Sequence, residues 1–392
     1  MKISLTTIGC KLNQSEINSL KQNLLSAGYL VVPKTQSHDL HIFNACSITH
    51  GAEQITRQKI RNIKKNNSHA QIMVMGCLNK AIPEINKVFK DSKDVLKFVI
   101  KNYPSEAVTL SSVEASANNR TRALIKIQTG CNFACSYCII HKFRGKSKSN
   151  TLKKIIDQIK TIENQGLQEI VLVGQNILQY KSQNMNFTKL VKEILKQTKI
   201  PRIRFSSLDP RLVNRDFLAL LKNPRICPHL HLSLQSGSNK ILKLMNRGYT
   251  ANKYLNIVKQ AQKINPFTSI TTDIIIGFPG ETKKDFQDTL NLVSKINFLK
   301  IHIFPFSLRK NTKAEKFPSQ VESKTKKERF TQLNVLAEKQ KQRFLKKMNG
   351  KTLPVLFEQK KNGYWQGFTT NYIQVKIKSK QNLNNTIKDI KI

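Results

Sequence analysis

Apolar and polar positions alternate in short blocks over residues 1 to about 100, and the blocks follow two different periods. Short, mostly apolar runs predict strands at Ile3–Ile8, Leu40–Asn44, Gln71–Met75 and Val95–Ile100. Helical spacing between these runs predicts one helix over 13–27, ended by Gly28, and a basic helix near 52–65. Because strands alternate with helices, we expect an open parallel α/β sheet with right-handed crossovers.

A second series of strands and helices occupies the middle of the chain. Its strands are predicted at Ala123–Gln128, Glu169–Val173, Arg202–Ser206, His229–Leu234, Thr271–Ile276 and Lys300–Pro305. The helices between them are clearly periodic: Leu152, Ile155, Ile156, Ile159 and Ile162 recur at helical spacing, and Gly166 follows the end of that helix. Six strand–helix units in succession predict an incomplete (β/α) barrel.

The remaining segments are less apolar. Residues 101–120 are rich in Ser, Asn and Ala and are expected to form a linker. Residues 313–347 predict a highly charged helical stretch, and strands at Leu353–Glu358 and Tyr372–Ile377 predict a small β module at the end of the chain. The expected fold class is therefore α/β, with an open sheet, a partial (β/α)6 barrel and a small β domain.

The net charge of the chain predicts the kind of partner that it binds. The 392 residues carry a formal net charge of +43, which favours a polyanion such as nucleic acid. An AT-rich genome would also raise the number of lysines, but it does not explain the shortage of glutamates. No apolar run is long enough to span a membrane, and the start of the chain has a strand pattern without the apolar core of a signal peptide. We therefore expect a cytoplasmic protein.

Three of the seven cysteines occupy equivalent places in the first series. Cys10 follows the first predicted strand, Cys46 the second and Cys77 the third. The carboxyl ends of parallel strands share one edge of the sheet, where ligands bind in open α/β folds. The three thiols are thus expected to meet there, with three unrelated core cysteines as the alternative. Cys227 stands alone and is expected to be a small buried residue.

The other three cysteines form a compact motif after the first barrel strand. Cys131, Cys135 and Cys138 are spaced Cys-x3-Cys-x2-Cys, which suits three irons of a 4Fe-4S cluster. A missing fourth thiolate leaves one iron open to the amine and carboxylate of S-adenosylmethionine, whose reductive cleavage gives a 5'-deoxyadenosyl radical. A zinc site is the alternative, although no second cysteine pair lies nearby.

The sequence resembles the radical S-adenosylmethionine methylthiotransferase family over nearly its whole length. The matching segments are IGCKLNQSE, NACSIT, MGC, GCNFACSYCII, GQN, HLHLSLQSGS, MNRGYT, DIIIGFPGET and FPFSLRKNT. The resemblance implies an N-terminal domain (1–112) that binds an auxiliary 4Fe-4S cluster, a radical core (118–345) and a TRAM-like RNA-binding domain (346–392). It implies that Cys10, Cys46 and Cys77 bind the auxiliary cluster.

Within that family, GCKLNQ, RGKSKS at 144–149 and GFTTNY at 367–372 most resemble the branch that acts on N6-threonylcarbamoyladenosine in tRNA. The implied reaction adds a methylthio group to C2 of that base at position 37, in the anticodon loop. One S-adenosylmethionine would give the methyl group and another the radical, with sulfur from the auxiliary cluster. Alternatives are an isopentenylated adenosine, an aspartate of a ribosomal protein, or a non-catalytic RNA-binding protein with structural metal.

Further candidate residues follow the barrel strands, where barrel active sites lie. Candidate contacts to S-adenosylmethionine are Gly174, Gln175, Gln235, Gly277, Gly280 and Glu281, with ordinary turn chemistry as the alternative. Candidate RNA contacts are Arg144, Lys146 and Lys148 after the cluster motif, and Lys376 and Lys378 near the end of the chain. Tyr364, Trp365, Phe368 and Tyr372 lie among these last lysines, a mixture that suits stacking on bases as well as packing in a small core.

Two positions depart from the family pattern: His141 replaces a usual proline, and Asp209 replaces a usual glutamate. We expect His141 to alter the loop and not to bind metal. The resemblance also implies an electron donor such as flavodoxin or ferredoxin, no membrane partner and a monomer. No acid–base pair is required by this chemistry, and the catalytic residues stay unknown.

Overall fold

The computed structural model describes residues 1–46, 50–78, 82–103 and 121–392. By its internal contacts the chain divides into two compact units, Met1–Asn118 with Lys142–Gly145, and Asn119–His141 with Lys146–Ile392. Most of the predicted linker at 101–120, and the predicted boundary between 112 and 118, lie outside the described residues. In the described ranges no helix has the length and apolar character of a membrane span.

The first unit is built around a parallel sheet. Its elements are β1 (Lys2–Thr7), α1 (Lys11–Ser26), β2 (Leu30–Val32), β3 (Leu40–Cys46), α2 (His50–Asn66), β4 (Gln71–Cys77), β5 (Lys87–Phe89) and α3 (Ser92–Asn102). Among the described residues the strand order is β2-β1-β3-β4-β5. The predicted strands at the first three positions and both predicted helices are present, which places buried apolar side chains on both faces of the sheet.

The predicted strand at Val95–Ile100 is wrong, because this segment lies within helix α3. Val95 and Val99, one helical turn apart, are both buried, as expected for the inner face of a helix. The carboxylate of Asp91 caps the helix by accepting hydrogen bonds from the backbone N–H groups of Lys93 and Asp94. The additional strands of the sheet are the short β2 and β5, which are too brief to give a sequence signal.

A buried pair of histidines lies beside β1 and β3. His41 Nδ1 is 2.9 Å from His38 Nε2, and His41 Nε2 is 3.0 Å from the hydroxyl of Thr6. Both imidazoles are fully buried. Burial, with smaller contributions from His38 and Lys34, lowers the pKa of His41 to about 3. His41 is therefore neutral in the folded protein near neutral pH.

This neutral histidine makes the first unit sensitive to acid. In the unfolded chain this histidine is protonated below about pH 6.5, whereas in the folded protein it stays neutral. The free energy of unfolding therefore decreases as the pH falls below that value. Between pH 6.5 and pH 5 the expected loss is about 2 kcal/mol. Hydrogen exchange of the β1 and β3 amides, measured against pH, should show a slope about one proton smaller in His41→Gln than in the wild type. Equal slopes in the two proteins would contradict the assignment.

From Arg122 onward the elements form a second series. In chain order they are β6 (Arg122–Lys126), β7 (Gln128–Thr129), α4 (Ile140–Arg144), β8 (Lys148–Ser149), α5 (Leu152–Asn164), β9 (Glu169–Val173), β10 (Lys181–Ser182), β11 (Met185–Asn186), α6 (Phe187–Gln197), β12 (Arg202–Phe205), α7 (Arg215–Ala219), β13 (His229–His231), α8 (Asn239–Leu244), α9 (Ala251–Ile264), β14 (Ser269–Ile276), α10 (Lys283–Ser294), β15 (Phe298–Pro305), α11 (Ser323–Met348), β16 (Thr352–Lys361), β17 (Tyr364–Thr369), β18 (Gln374–Ile377) and β19 (Ile387–Lys391). Short 3₁₀ helices lie at Ile177–Gln179, Leu220–Lys222 and Lys313–Lys316.

Six of these strands form the predicted partial barrel. Strands β12, β9 and β6 pair in parallel, as do β13, β14 and β15. Parallel bridges from Ile203 to Ile226 and from Leu208 to Leu232 connect the two groups. The outward faces of the strands pack against the helices in one large apolar core. Polar residues that alternate with these core residues therefore face the inside of the barrel.

The end of the chain forms a small antiparallel sheet with strand order β18-β17-β16-β19. Two of its strands, β17 and β19, were not predicted, and the predicted strand at Tyr372–Ile377 begins only at Gln374. Tyr372 has a φ of 72° and lies in the turn before β18, which shortens that strand. The charged stretch predicted at 313–347 corresponds to a 3₁₀ turn followed by the long helix α11.

A buried ion cluster joins this small sheet to the barrel within the second unit. Glu169 opens β9 and is paired with Arg202 at 2.8 Å and Arg204 at 2.7 Å, both from β12. The two arginines also donate hydrogen bonds to the backbone carbonyls of Thr369 and Thr370. Burial opposes the ionisation of Glu169, but the arginines outweigh it and lower its pKa to about 2.

Candidate functional site

The first unit gathers Cys10, Cys46 and Cys77 at the carboxyl edge of its sheet. Cys46 and Cys77 are opposite one another at the ends of β3 and β4. Cys10 follows β1, the other neighbour of β3, and is the N-cap residue of α1. The strand order changes direction between β1 and β3, and such a switch point opens a crevice for ligands.

Gly9 allows the loop after β1 to approach Cys46. Its φ is 118°, a conformation that glycine adopts readily. A Cβ atom at this position would lie 2.6 Å from the Cβ and 3.2 Å from the Sγ of Cys46. A side chain at position 9 would therefore collide with Cys46.

The buried side-chain amides of Asn13 and Asn44 hold the loop and strand that carry these cysteines, and the sequence did not predict this role. Asn13 Nδ2 donates to Asn44 Oδ1 at 3.0 Å and to the carbonyl of Ala45 at 2.9 Å, while its Oδ1 lies 3.2 Å from Cys10 Sγ. Asn44 Nδ2 donates to Glu16 Oε2 at 3.3 Å. Asn13 and Glu16, three residues apart, lie on the buried face of α1, and polar residues at core positions were the available signal.

Arg144 reaches the same edge. Segment Lys142–Gly145 belongs to the first unit, and the Arg144 guanidinium donates to both carboxylate oxygens of Glu16, at 2.6 and 3.0 Å. Its Nε lies 3.3 Å from Cys77 Sγ. Only 5% of the Arg144 side chain is exposed, so the predicted contact with an RNA phosphate does not fit this placement. Burial raises the pKa of the Cys77 thiol, and Arg144 opposes that rise.

The second cysteine motif forms a loop after β7 in the second unit, held at several points by the barrel. The backbone N–H of Gly130 donates to Gln175 Oε1 at 3.0 Å, and that of Asn132 donates to Gln179 Oε1 at 2.9 Å. Within the motif, Cys138 N–H donates to the carbonyl of Cys135 at 3.0 Å. Burial raises the pKa of Cys138 to about 12, so this thiol stays protonated until a metal binds.

Two arginines flank Cys135, and the sequence analysis did not identify them. Arg211 and Arg247 each place a guanidinium nitrogen 3.5 Å from Cys135 Sγ. Asp209 pairs with both, at 2.6 and 3.3 Å, and holds them in position. Arg211 also lies 3.4 Å from the centre of the Phe133 ring. These cations would offset the negative charge that a thiolate-bound cluster brings into a buried site.

Each trio supplies the ligand type, cysteine thiolate, that an iron-sulfur cluster requires. In the part of the chain that the structure describes, no three His, Cys, Asp or Glu side chains converge as ligands of a single metal ion. In a 4Fe-4S cluster each thiolate binds a different iron, so the sulfur atoms surround the cluster without meeting at one point. Three ligands in each trio would leave one iron accessible.

The predicted contacts to S-adenosylmethionine divide into two kinds. Gln175 holds the cysteine loop, and Glu281 accepts a hydrogen bond from Gly277 N–H and pairs with Arg329 at 2.5 Å, so both side chains fix local structure. A Cβ at Gly174 would lie 2.7 Å from Gln128 Oε1, which makes this glycine a packing requirement.

Gln235, Gly277 and Gly280 adopt positive φ at the ends of β13 and β14. For these three the predicted ligand contacts stay predictions.

A polar group on the inner face of the barrel was also missed. His231 Nε2 lies 3.1 Å from Asp273 Oδ2, and the hydroxyl of Ser233 donates to the same oxygen at 3.3 Å. His231 is flanked along β13 by the core residues Leu230 and Leu232, so it points into the barrel. This group lies close to the cysteine loop, because Arg247 donates to the carbonyl of Ser233 as well as approaching Cys135.

The predicted RNA contacts other than Arg144 are exposed. Lys146, Lys148, Lys376 and Lys378 all face solvent. Lys378 Nζ lies 5.4 Å from the centre of the Tyr364 ring, which is 39% exposed.

The other three aromatic residues of the module do not face solvent in the same way. Trp365 belongs to the module core, and Phe368 and Tyr372 stack on one another with ring centres 4.8 Å apart. Tyr364 is thus the aromatic residue of this group most available to a nucleobase.

Cys227 and His141, the remaining residues noted in the sequence, both contribute atoms to the protein interior. Cys227 is buried, with its sulfur 4.0 Å from Glu169 Oε2, as expected of a small core residue. His141 Nδ1 is buried without a hydrogen-bond partner among the described atoms, and no metal-binding group forms around it in those ranges.

Two family profiles match the chain. The Radical SAM superfamily matches residues 125–293, which cover most of the barrel. An uncharacterized protein family, UPF0004, matches residues 2–99, which cover the sheet of the first unit.

Named relatives match over nearly the full length. A threonylcarbamoyladenosine tRNA methylthiotransferase MtaB of Aquifex aeolicus is 34% identical over 96% of this chain and 96% of its own. A protein of the same name from Thermotoga maritima is 36% identical over 91% of this chain and 86% of its own. A tRNA-2-methylthio-N(6)-dimethylallyladenosine synthase of Thermodesulfovibrio yellowstonii is 34% identical over 94% and 90%.

Solved structures share the fold at low sequence identity. The radical S-adenosylmethionine methyltransferase TsrM of Kitasatospora setae, solved with cobalamin and a [4Fe-4S] cluster, has a TM-score of 0.59 and 13% identity, over 80% of this chain and 77% of its own. The cobalamin-dependent S-adenosylmethionine radical enzyme OxsB has a TM-score of 0.51 and 11% identity, over 86% and 56%. These similarities support the α/β arrangement with a partial barrel.

Proposed function

This chain belongs to the radical S-adenosylmethionine methylthiotransferases, and we propose that it adds a methylthio group to C2 of N6-threonylcarbamoyladenosine at position 37 of tRNA. The observation that carries the proposal is the pair of cysteine trios, one at the edge of the first sheet and one at the barrel. Relatives that bear this activity in their names, 34–36% identical, support the choice of substrate.

We propose that each trio binds one 4Fe-4S cluster. Cys131, Cys135 and Cys138 would hold the cluster that cleaves S-adenosylmethionine, and Cys10, Cys46 and Cys77 the auxiliary cluster. When bound, the first cluster supplies the electron for radical formation and the second supplies sulfur.

The chain's own residues prepare the radical site. Gln175 and Gln179 fix the backbone of the cysteine loop, so its thiols keep one geometry. Arg211 and Arg247 place positive charge beside Cys135, where it would offset the negative charge of a bound cluster. Asp209 holds both guanidinium groups and prevents them from turning away.

Exposed cations of the second unit would bind the tRNA backbone. Lys146 and Lys148 follow the cysteine loop, and Lys376 and Lys378 lie on the C-terminal sheet. Tyr364 beside Lys378 offers a ring for stacking on an unpaired base. The net charge of +43 would strengthen this binding over a wide surface.

The domain boundaries 1–112, 118–345 and 346–392 remain part of the proposal. So do a cytoplasmic location, a flavodoxin or ferredoxin as electron donor, and action as a monomer. The small sheet at 346–392 packs on the barrel through Arg202 and Arg204, so it would act as an RNA-binding domain fixed to the core.

The dimethylallyladenosine branch is the second candidate, because its Thermodesulfovibrio yellowstonii member is also 34% identical to this chain. The two substrates share the adenine ring and differ in the group on N6. Only contacts to that group can separate them, so a direct product measurement is required.

Mass spectrometry of tRNA nucleosides tests the proposal. Undermodified tRNA carrying both N6-threonylcarbamoyladenosine and isopentenyladenosine is incubated anaerobically with the reconstituted protein, S-adenosylmethionine and a reductant. We expect the 2-methylthio derivative of the threonylcarbamoyl nucleoside alone. The 2-methylthio isopentenyl nucleoside would support the second candidate, and no modified nucleoside with fully loaded clusters would contradict both. Cys227→Ala, a buried cysteine outside both trios, is the matched control and should keep activity.

A further inference from the structure

We propose that Arg144 is a positioning residue that raises the reduction potential of the cluster held by Cys10, Cys46 and Cys77. This inference rests on the proposed function, because it requires an auxiliary cluster at that trio. It gives Arg144 a role different from the contact with RNA that its basic surroundings predicted.

The geometry directs the guanidinium at the sulfur. Arg144 Nε lies 3.3 Å from Cys77 Sγ, and the other two nitrogens donate to Glu16 at 2.6 and 3.0 Å. The planar fork of an arginine matches a carboxylate with two parallel hydrogen bonds. Glu16 thereby fixes the plane of the guanidinium, so that Nε of Arg144 is directed at the sulfur of Cys77.

Glu16 is itself held in place. Its Oε2 accepts a hydrogen bond from Asn44 Nδ2, and Asn44 is in turn bonded to Asn13, whose amide contacts Cys10. Buried hydrogen bonds therefore connect Arg144 to strand β3, which ends at Cys46, and to helix α1, which begins after Cys10. Arg144 and Glu16 are 5% and 4% exposed, so water screens their charges only weakly.

The electrostatic consequence has a definite sign. A hydrogen bond to a ligand sulfur, and positive charge close to it, stabilise the form of a cluster that carries the additional electron. Arg144 is in direct contact with the sulfur and raises the potential, whereas Glu16 acts in the opposite direction. Removal of the two charges separately should thus shift the potential in opposite directions.

A redox titration followed by electron paramagnetic resonance tests the sign. The background carries Cys131→Ala, Cys135→Ala and Cys138→Ala, so that the auxiliary cluster is observed alone in the full chain. We expect Arg144→Gln to lower the midpoint potential, Arg144→Lys to lower it less, and Glu16→Gln to raise it. Lys142→Gln removes an exposed cation two residues away in the same unit and should leave the potential unchanged.

The outcomes separate this inference from the proposed function. Failure of any 4Fe-4S cluster to assemble in the triple-alanine background would overturn the auxiliary cluster itself, and this inference with it. A cluster that assembles, with potentials unchanged or shifted the same way in Arg144→Gln and Glu16→Gln, would overturn only the role of Arg144. If Arg144→Gln does not retain its cluster, Arg144→Lys and Glu16→Gln decide by the same signs.

Discussion

Simultaneous replacement of Cys10, Cys46 and Cys77 by alanine is expected to abolish methylthiolation while S-adenosylmethionine is still cleaved. The iron and sulfide content should fall by about half, because one of two four-iron clusters is lost. The cleavage reaction should persist, since the loop with Cys131, Cys135 and Cys138 is held by Gln175 and Gln179 from the second unit alone.

The measurements are iron and sulfide analysis after anaerobic reconstitution, 5'-deoxyadenosine release and nucleoside mass spectrometry. Cys227→Ala controls for the loss of a buried cysteine, and we expect full iron content and activity in it. The reciprocal replacement of Cys131, Cys135 and Cys138 should abolish both reactions. Retention of methylthiolation after loss of the first trio would show that its sulfur ligands are not needed.

Arg204→Met is expected to destabilise the second unit by about 3–5 kcal/mol, because it leaves buried Glu169 with less positive charge than its burial requires. The Arg204 side chain is fully buried and also donates to the carbonyls of Thr369 and Thr370. Its loss removes three hydrogen-bonded partners at once. The pKa of Glu169, lowered to about 2 in the folded protein, should rise in this variant.

Urea unfolding reports this change through Trp365, the single tryptophan of the chain, which lies in the small sheet that Arg204 contacts. Arg343→Met, an exposed arginine on α11, is the matched control, and its effect should stay within about 0.5 kcal/mol. Equal losses in the two variants would mean that the buried pair contributes nothing specific.

The barrel strands could be predicted from the sequence because each is a short run of continuous or alternating apolar residues bounded by turn residues. Glu169–Val173 has the predicted bounds, and Arg202–Phe205 differs from its predicted bounds by one residue. The Val95–Ile100 segment is equally apolar and about as short, and such a run does not distinguish a strand from a buried helix. The cap at Asp91 was the local signal that could have separated them.

The placement of Cys10, Cys46 and Cys77 at one edge followed from topology, since Cys46 and Cys77 end strands of one parallel sheet and Cys10 follows a third strand of it. The surroundings of the cysteines did not follow. Arg144 and Glu16 are 128 residues apart in the sequence, and nothing in the local pattern of either residue indicates the other. Arg211 and Arg247 approach Cys135 from two different loops for the same reason. Strand periodicity thus locates the three cysteines, but long-range ion pairs require the folded chain.

At the amino-terminal end of the barrel strands, the last sheet packs over the buried ion cluster. Arg202 and Glu169 are the first residues of their strands, and the backbone carbonyls that satisfy the arginines come from Phe368, Thr369 and Thr370 in the last sheet. A chain shortened before Phe368 would expose the charges of Arg202, Arg204 and Glu169 to water and remove the packing at this end of the barrel. The barrel and the module proposed to bind RNA are consequently coupled in stability, so a change that displaces the last sheet should also destabilise the barrel.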